Sequence, residues 1–305
     1  MKKLIPLVAL LFFMLSAEAQ YNWELGGKAG VANYLGDIGG GEGSARKWLL
    51  DMKLEETKYS FGGYARYRFT PRWSAVANLN YNRISGDDHN SLNPGRRGRN
   101  LSFRNDIFEL TLRGDFAVYN NYDVGNKGFY NPDFKIYLFA GAGALLSNPK
   151  AQYDGTWYNL RKLETEGKKY SPVQFVIPGG VGAFFTFDRV HRFGMEIQYS
   201  FAFTDYLDDV SDTYADPESL SSDIARTLAN RRPEFTPDNA DDIVPHPNNY
   251  TAGNKRGDVT NYDGYMLINF TYGYVLRGKS QFYKRGHYNF LHRKNAKRRK
   301  SRAKF

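Results

Sequence analysis

The sequence predicts an all-β fold, an eight-stranded antiparallel transmembrane outer-membrane β-barrel with long extracellular loops and a basic C-terminal tail. Three observations predict it. Segments of about ten residues alternate between apolar and polar side chains, as tilted membrane strands do. Aromatic residues make up 16% of the chain although mean hydropathy is −0.60; aromatic girdles at two membrane interfaces account for such a composition. The connections between segments alternate between short and long, as in outer-membrane barrels.

The alternation is clearest from Trp73 to Asn82. Trp73, Ala75, Ala77, Leu79 and Tyr81 share one parity, and Ser74, Val76, Asn78, Asn80 and Asn82 the other. Successive strand residues point to opposite faces, so one face is apolar and the other mostly polar. Comparable segments fall at 22–34, 59–69, 73–84, 106–119, 134–147, 173–187, 192–204 and 262–276. The first is the weakest, with Trp23, Leu25, Ala29 and Val31. The last is strong, with Met266, Ile268, Phe270, Tyr272, Tyr274 and Leu276 on one parity. Pro178 lacks an amide donor, which predicts a bulge or local break in the sixth.

The opposite parity carries Glu24, Lys28, Arg66, Arg68, Glu109, Arg113, Asp115, Lys135 and Glu196. In a soluble sandwich these charges would lie on solvated faces. In a narrow barrel they would pair inside the lumen, because an unpaired buried charge is costly. An interior of eight strands can be filled by side chains. The expectation is therefore a charge plug, which disfavours solute conduction.

Thr70-Pro71-Arg72 and Asp188-Arg189-Val190-His191 are tight turns, whereas 35–58, 85–105, 148–172 and 205–261 are long gaps. The tight turns suit the periplasmic side and the long gaps the outside. Residues 120–133 make a longer periplasmic connection. Asp216 to Arg232 could form a short loop helix with Pro217 in its first turn. Pro233–Gly257 is rich in Pro, Asn and Asp and is expected to be mobile.

At the amino end, Lys2 and Lys3 precede an apolar run from Leu4 to Leu15 and an Ala17-Glu18-Ala19 site. Residues 1–19 thus read as a signal peptide, 20–277 as the barrel and 278–305 as a basic periplasmic tail. The apolar run is too short to span a bilayer as a helix. Outer-membrane lipids are the expected surroundings. The chain has no cysteine, which excludes disulfides, thiol catalysis and Cys-ligated metal.

The net charge of +10 is concentrated at the carboxyl end. Residues 278–305 hold eleven Lys or Arg and no Asp or Glu, while 20–277 sums to −2. A body-wide nucleic-acid surface is not expected on that distribution, nor a nucleic-acid partner of an exported chain. Lys294, Lys297, Arg298, Arg299, Lys300, Arg302 and Lys304 form either a solvated end or a periplasmic docking peptide for an acidic partner surface or anionic inner-leaflet groups.

Asp205, Asp208, Asp209 and Asp212 supply the oxygen ligands of a weak calcium candidate. Their spacing is not that of an EF-hand, and turn capping is the preferred role. His287 and His292 read as surface groups. No Ser/His/Asp set sits in a recognisable motif, Gly39-Gly40-Gly41-Glu42-Gly43 lacks the Gly-Lys-Ser/Thr ending of a phosphate loop, and no cofactor is implied.

Two strand ends carry a family resemblance. Ala32-Asn33-Tyr34-Leu35-Gly36-Asp37-Ile38 resembles the Tyr-x-Gly-Asp strand end of PorG-like outer-membrane barrels from the Bacteroidetes type IX secretion system. Thr204-Asp205-Tyr206-Leu207-Asp208-Asp209-Val210-Ser211-Asp212-Thr213-Tyr214 is similar to a second signature of that family. The resemblance covers roughly 20–277 and implies a non-enzymatic outer-membrane component. It also implies association with a periplasmic ring of the PorK/PorN type, in a machine that exports folded cargo and supports gliding motility in some species. An independent adhesin or envelope-stabilising barrel is the main alternative, and an enzyme with a site at the loop rim a lesser one.

Overall fold

The computed structural model describes residues 23–39, 54–121, 133–236 and 247–276. Residues 1–19, expected to be a signal peptide, and 278–305, expected to be a basic tail, lie outside the described residues.

Eight strands form the barrel. They are β1 (Trp23–Leu35), β2 (Lys58–Arg68), β3 (Trp73–Asp87), β4 (Ser102–Asn121), β5 (Asp133–Leu146), β8 (Val173–Phe187), β9 (His191–Ala202) and β10 (Gly264–Val275). Each pairs antiparallel with its neighbour, in the order β3-β2-β1-β10-β9-β8-β5-β4, and pairing of β3 with β4 closes the ring. Closure removes both sheet edges, so the backbone groups between strands are satisfied without water.

Polarity is inverted relative to a soluble domain. Leu79, Leu110, Leu112, Leu138, Phe175 and Phe270 point outward and are exposed, whereas Asn78, Asn80, Asn82, Glu109, Arg113 and Glu196 point inward and are buried. The outer surface carries chains of aromatic contacts across strands, such as Trp73 with Phe116 and Phe193 with Tyr272. A continuous apolar belt around a polar centre is the arrangement of a transmembrane barrel. Among the described residues no helix is long and apolar enough to cross a membrane.

The tight turns have local causes. After β2, the Thr70 hydroxyl accepts from the Trp73 amide at 2.9 Å. After β8, Asp188 and Arg189 adopt φ of 49° and 57°, a left-handed pair at the centre of a turn closed by the Val190 amide donating to the Phe187 carbonyl at 3.0 Å, and Phe187 pairs with His191 across it. The Leu276 amide donates to the Trp23 carbonyl at 2.8 Å and seals the first strand to the last at this end.

The structure refines several expectations. The long gap 148–172 contains a hairpin, β6 (Pro149–Tyr153) and β7 (Thr156–Asn159), followed by the short helix α2 (Leu160–Leu163). β6 pairs with the long-loop end of β4 at Arg104 and Asn105. Its five residues are too few for an alternation signal to stand out. Near Pro178 the β5–β8 ladder stops at Ala140↔Gly179 and resumes at Gly143↔Val176 in unchanged register, a local break rather than a bulge. The barrel's bulge lies in β4 between Ala117 and Tyr119.

In the last loop Pro217 opens a separate 3₁₀ turn, and α3 (Asp223–Ala229) starts six residues later behind a Ser222 cap. Ser222 can accept from the Ala225 amide, whereas Pro217 has no side-chain oxygen to offer. Within Pro233–Gly257, expected to be mobile, Tyr250 and Arg256 are buried anchors. Residues 237–246 lie outside the described residues.

The long-loop end has its own apolar core. Tyr34, Ile84, Phe103, Ile107, Leu145, Val176, Tyr265 and Leu267 point inward from the strands and pack beneath loop residues Leu207, Val210 and Leu228. α1 (Pro94–Arg99) lies over the same end, capped by Asn93.

The lipid-facing assignment can be tested with two arginine substitutions. Leu112 in mid β4 is 69% exposed, and Leu92 in a long loop is 61% exposed. In lipid vesicles, Leu112→Arg is expected to destabilise the barrel by about 2–4 kcal/mol in denaturant unfolding. Leu92→Arg is expected to stay within about 0.5 kcal/mol of the parent. Equal, small effects at both positions would contradict a membrane belt.

Candidate functional site

The lumen is filled by one ion-pair network. Four cations, Lys28, Arg66, Arg113 and Arg192, and four anions, Glu24, Glu109, Asp115 and Glu196, are all buried there, so the formal charge cancels. Toward the short-turn end, Glu24 pairs with Arg192 and lies 3.3 Å from Arg66. The Tyr64 hydroxyl donates to the same carboxylate at 2.7 Å. Arg66 reaches Asp115 at 3.2 Å and sits over the rings of Tyr64, Tyr137 and Phe184.

Glu196 is the centre of the network. It pairs with Arg113, lies 3.7 Å from both Lys28 and Arg66, and accepts from the Tyr137 hydroxyl at 2.7 Å. Gly182 faces the Tyr137 ring, where a Cβ would lie 2.4 Å from ring carbon. Toward the long-loop end, Glu109 is held by neutral donors: Tyr265 at 2.6 Å, Asn82 at 3.2 Å and Gln198 at 3.3 Å. Such a packed, neutral interior is a plug.

Arg68 and Lys135, expected among the lumen charges, sit instead at the short-turn mouth. Both are half-buried, and Lys135 donates to the Pro71 carbonyl at 3.1 Å. They lie at the outer ends of their strands, where long side chains can reach water. Together with Arg72 and Arg192 they line a basic rim. Arg192 is the network member that sequence reasoning missed. Its place on the same parity as Glu196 was the available signal.

The long-loop end is built around a second polar assembly, where the two strand-end motifs meet. The Ile38 amide donates to Asp208 at 3.1 Å. The Tyr34 hydroxyl donates to Asp263 at 2.6 Å, and Asp263 accepts from the Leu207 amide at 2.8 Å. Gly36 is required by this approach, since a Cβ there would fall 2.0 Å from the Tyr34 hydroxyl oxygen. Asp37 accepts from the Asp258 amide at 2.6 Å.

Arg99 joins three loops. It grips Asp88 at 2.7 and 2.9 Å and donates to the carbonyls of Asp37 and Arg256. Arg256 in turn pairs with Glu166 at 2.9 Å, and Glu166 accepts from the Ser211 amide. These residues gave no sequence signal, because each is one ordinary charge in a polar loop.

The four aspartates of the calcium candidate go to different partners. Asp208 accepts from the Val210 amide at 2.9 Å in addition to Ile38, Asp209 from Thr165 and from Tyr170 at 2.5 Å, and Asp212 pairs with Lys168 at 2.6 Å. Asp205 is buried beside them. Among the described residues no three acidic or imidazole groups converge as a metal site. The basic tail, with Lys294 to Lys304, lies outside the described residues.

The cap acids are held in an unusual protonation range. Burial, reinforced by Asp208 and Asp37, pushes Asp205 up to about 9. Burial and Asp37 push Asp208 up to about 8. Burial, opposed by Arg256, leaves Asp209 at about 6.

Two predictions follow from these assemblies. Truncating Glu196→Ala strands Arg113 and Lys28 and is expected to cost about 3–5 kcal/mol in detergent unfolding. An apolar double variant, Arg113→Met with Glu196→Leu, should cost less than the sum of its single changes; strict additivity would show the pair is uncoupled. In the cap, a carboxyl with a raised folded pKa binds its proton more tightly when folded. The stability it contributes is full below the unfolded value and is lost as pH rises through the folded value. Thermal midpoints should therefore fall between pH 6 and 9, and Asp205→Asn should flatten that fall. A variant with the parent's slope would refute the assignment.

Comparison with known proteins places the chain in a family. Solved structures resemble it, among them three outer-membrane proteins. The N-terminal β-barrel domain of Pseudomonas aeruginosa OprF is 8% identical with a TM-score of 0.35, over 85% of this chain and 100% of that one. Pseudomonas aeruginosa OprG is 11% identical with a TM-score of 0.38, over 85% and 98%. Yersinia pestis Ail, in complex with the heparin analogue sucrose octasulfate, is 11% identical with a TM-score of 0.33, over 84% and 99%. No curated protein matches the chain. The model of a domain of unknown function, DUF6089, matches residues 2–223, and the chain belongs to that family.

Proposed function

We propose that this barrel is a non-enzymatic outer-membrane anchor or accessory component of the type IX protein secretion machinery, docked on its periplasmic ring. The observation that carries this reading is the plugged lumen. With Glu196, Arg113 and their neighbours filling the interior, the barrel offers its two ends, not a channel. An anchor needs only a stable membrane body and a face for a partner.

The basic rim of Arg68, Arg72 and Lys135 supports a partner face at the short-turn end. The eleven cations of 278–305 would emerge at the same end, because an even strand number returns both termini there. Like-signed groups at that end favour an acidic partner surface. The resemblance of the two strand-end motifs to PorG-like proteins names the ring proteins, of the PorK/PorN type, as that partner. An outer-membrane location with a cleaved leader, in a Bacteroidetes cell with or without gliding, belongs to the same reading. An independent adhesin would use the long-loop end instead and would leave the rim without a partner.

The test is affinity isolation from mildly solubilised envelopes. Full-length barrel is expected to bring down periplasmic ring proteins. A form lacking 278–305 should insert normally and recover less of them. Absence of ring proteins, together with intact protein secretion in a deletion strain, would overturn the proposal. Equal recovery with the truncated form would remove the tail from the interface.

A further inference from the structure

The outward face of the barrel changes character at one level near the long-loop end. Along β4 the outward residues from Val118 to Phe108 carry no charge. Those ten steps of about 3.3 Å, tilted by about 40°, give about 25 Å of height. That is the height of an outer-membrane apolar band. The next two outward residues on the strand are Asp106 and Arg104. They stand where the band ends and lipid head groups begin.

Neighbouring strands bring further charges to this level. Arg83 of β3 lies opposite Asp106, and Lys150 of β6 lies opposite Arg104, so these side chains share the outer face. Asp106 is engaged: Arg83 donates to it at 2.5 Å and the Tyr81 hydroxyl at 2.8 Å. Arg83 also sits over the Tyr59 ring. Glu56, toward the loops, accepts from Ser85 and Asn90.

Arg104 and Lys150 are placed differently. Arg104 lies over the Trp157 ring at 3.8 Å, and its Nε is buried without a hydrogen-bond acceptor. Asp106 is close enough to feel the Arg104 charge without bonding to it. Among the described residues neither Arg104 nor Lys150 has a hydrogen bond or an ion pair. Both are half-buried, so an anion would meet them partly desolvated, where a charge-assisted bond is strong.

Their position selects the occupant. Both stand directly above an apolar belt that faces acyl chains, and Tyr59, Tyr81 and Trp157 flank them as interfacial aromatics. An occupant that covers the belt and also meets the cations is an amphiphile with chains below and an anion above. The long-loop end is the outer end on the pattern of short and long connections, so the amphiphile belongs to the outer leaflet, which in an outer membrane is built of phosphorylated glycolipid. We infer that Arg104 and Lys150 hold a phosphate of such a lipid, with its acyl chains against Phe108 and Leu110. Phosphate suits both the planar fork of an arginine and the point charge of a lysine. The surface lies on the flank of the barrel, away from the short-turn mouth, and it stands whether or not the ring-docking proposal does.

The test uses the purified full chain in neutral detergent, with native mass spectrometry counting bound lipid. The probes are phosphorylated lipid A, the same lipid A with its phosphates removed, and inorganic phosphate. Phosphorylated lipid A is expected to bind, and neither of the others to displace it at equal concentration. Arg104→Gln with Lys150→Gln should weaken that binding by about thirtyfold, roughly fivefold for each cation. Lys169→Gln, at an exposed loop cation of the same end, should leave it unchanged. The exchange Arg104→Lys with Lys150→Arg keeps both charges and should keep the binding, which separates lost charge from disturbed folding. Equal binding of the dephosphorylated lipid, displacement by equimolar inorganic phosphate, full affinity in the double glutamine variant, or as great a loss in the charge-keeping exchange would each overturn the inference.

Discussion

Closure of the sheet by β3 against β4 is the constraint on which the rest of the molecule depends. Fifteen residue pairs, from Trp73↔Phe116 to Asp87↔Ser102, join these strands. A membrane offers no water to an open edge, so the sheet must satisfy itself completely. Once it is closed and faces lipid, the alternation of each strand dictates the rest. The apolar parity turns outward, and every other residue is forced into a space that side chains must fill.

That space is organised in depth. At the level of the lipid belt it holds four cations and four anions, arranged so that Glu196 is shared by Arg113, Lys28 and Arg66. Interior polarity is tolerated there because lipid covers the outer face, and a neutral network needs no solvent. Toward the long loops the inward positions become apolar, with Ile84, Phe103, Val176 and Leu267. The strands β3 and β4 run to 15 and 20 residues, longer than the crossing needs. Beyond the membrane the barrel stands in water, where the ordinary hydrophobic drive returns and an apolar core under loops becomes the stable solution.

The fold was legible because alternation is a local signal repeated eight times. Trp73–Asn82 declares its two faces without reference to any other segment. The lumen charges were legible for the same reason, since parity alone sends Glu24, Arg113 and Glu196 inward. Arg68 and Lys135 share that parity, but they stand at strand ends, where depth rather than parity decides the environment. Ile84 and Leu145 point inward despite their apolarity, and parity without depth assigns no role to them. The cap was not legible. Arg99, Glu166 and Arg256 act through partners 11 to 157 positions away in the chain, and nothing near them in sequence marks the pairing.

The two strand-end motifs acquire a physical meaning from that cap. Gly36 exists because the Tyr34 hydroxyl and Asp263 occupy the space of its missing Cβ. Asp208 exists because the chain leaving β1 has an amide at Ile38 to satisfy. The motifs are thus the fastening between the first and last long loops. A fastening of this kind says how the end of the barrel is built, and it would persist in relatives with different partners. The fastening leaves the charged side chains of the short-turn mouth, Arg68, Arg72 and Lys135, uninvolved at the opposite end of the barrel. The two ends are separated by the lumen network, in which Arg192, Glu24, Arg66, Glu196 and Arg113 are linked ion pair by ion pair and the formal charges cancel.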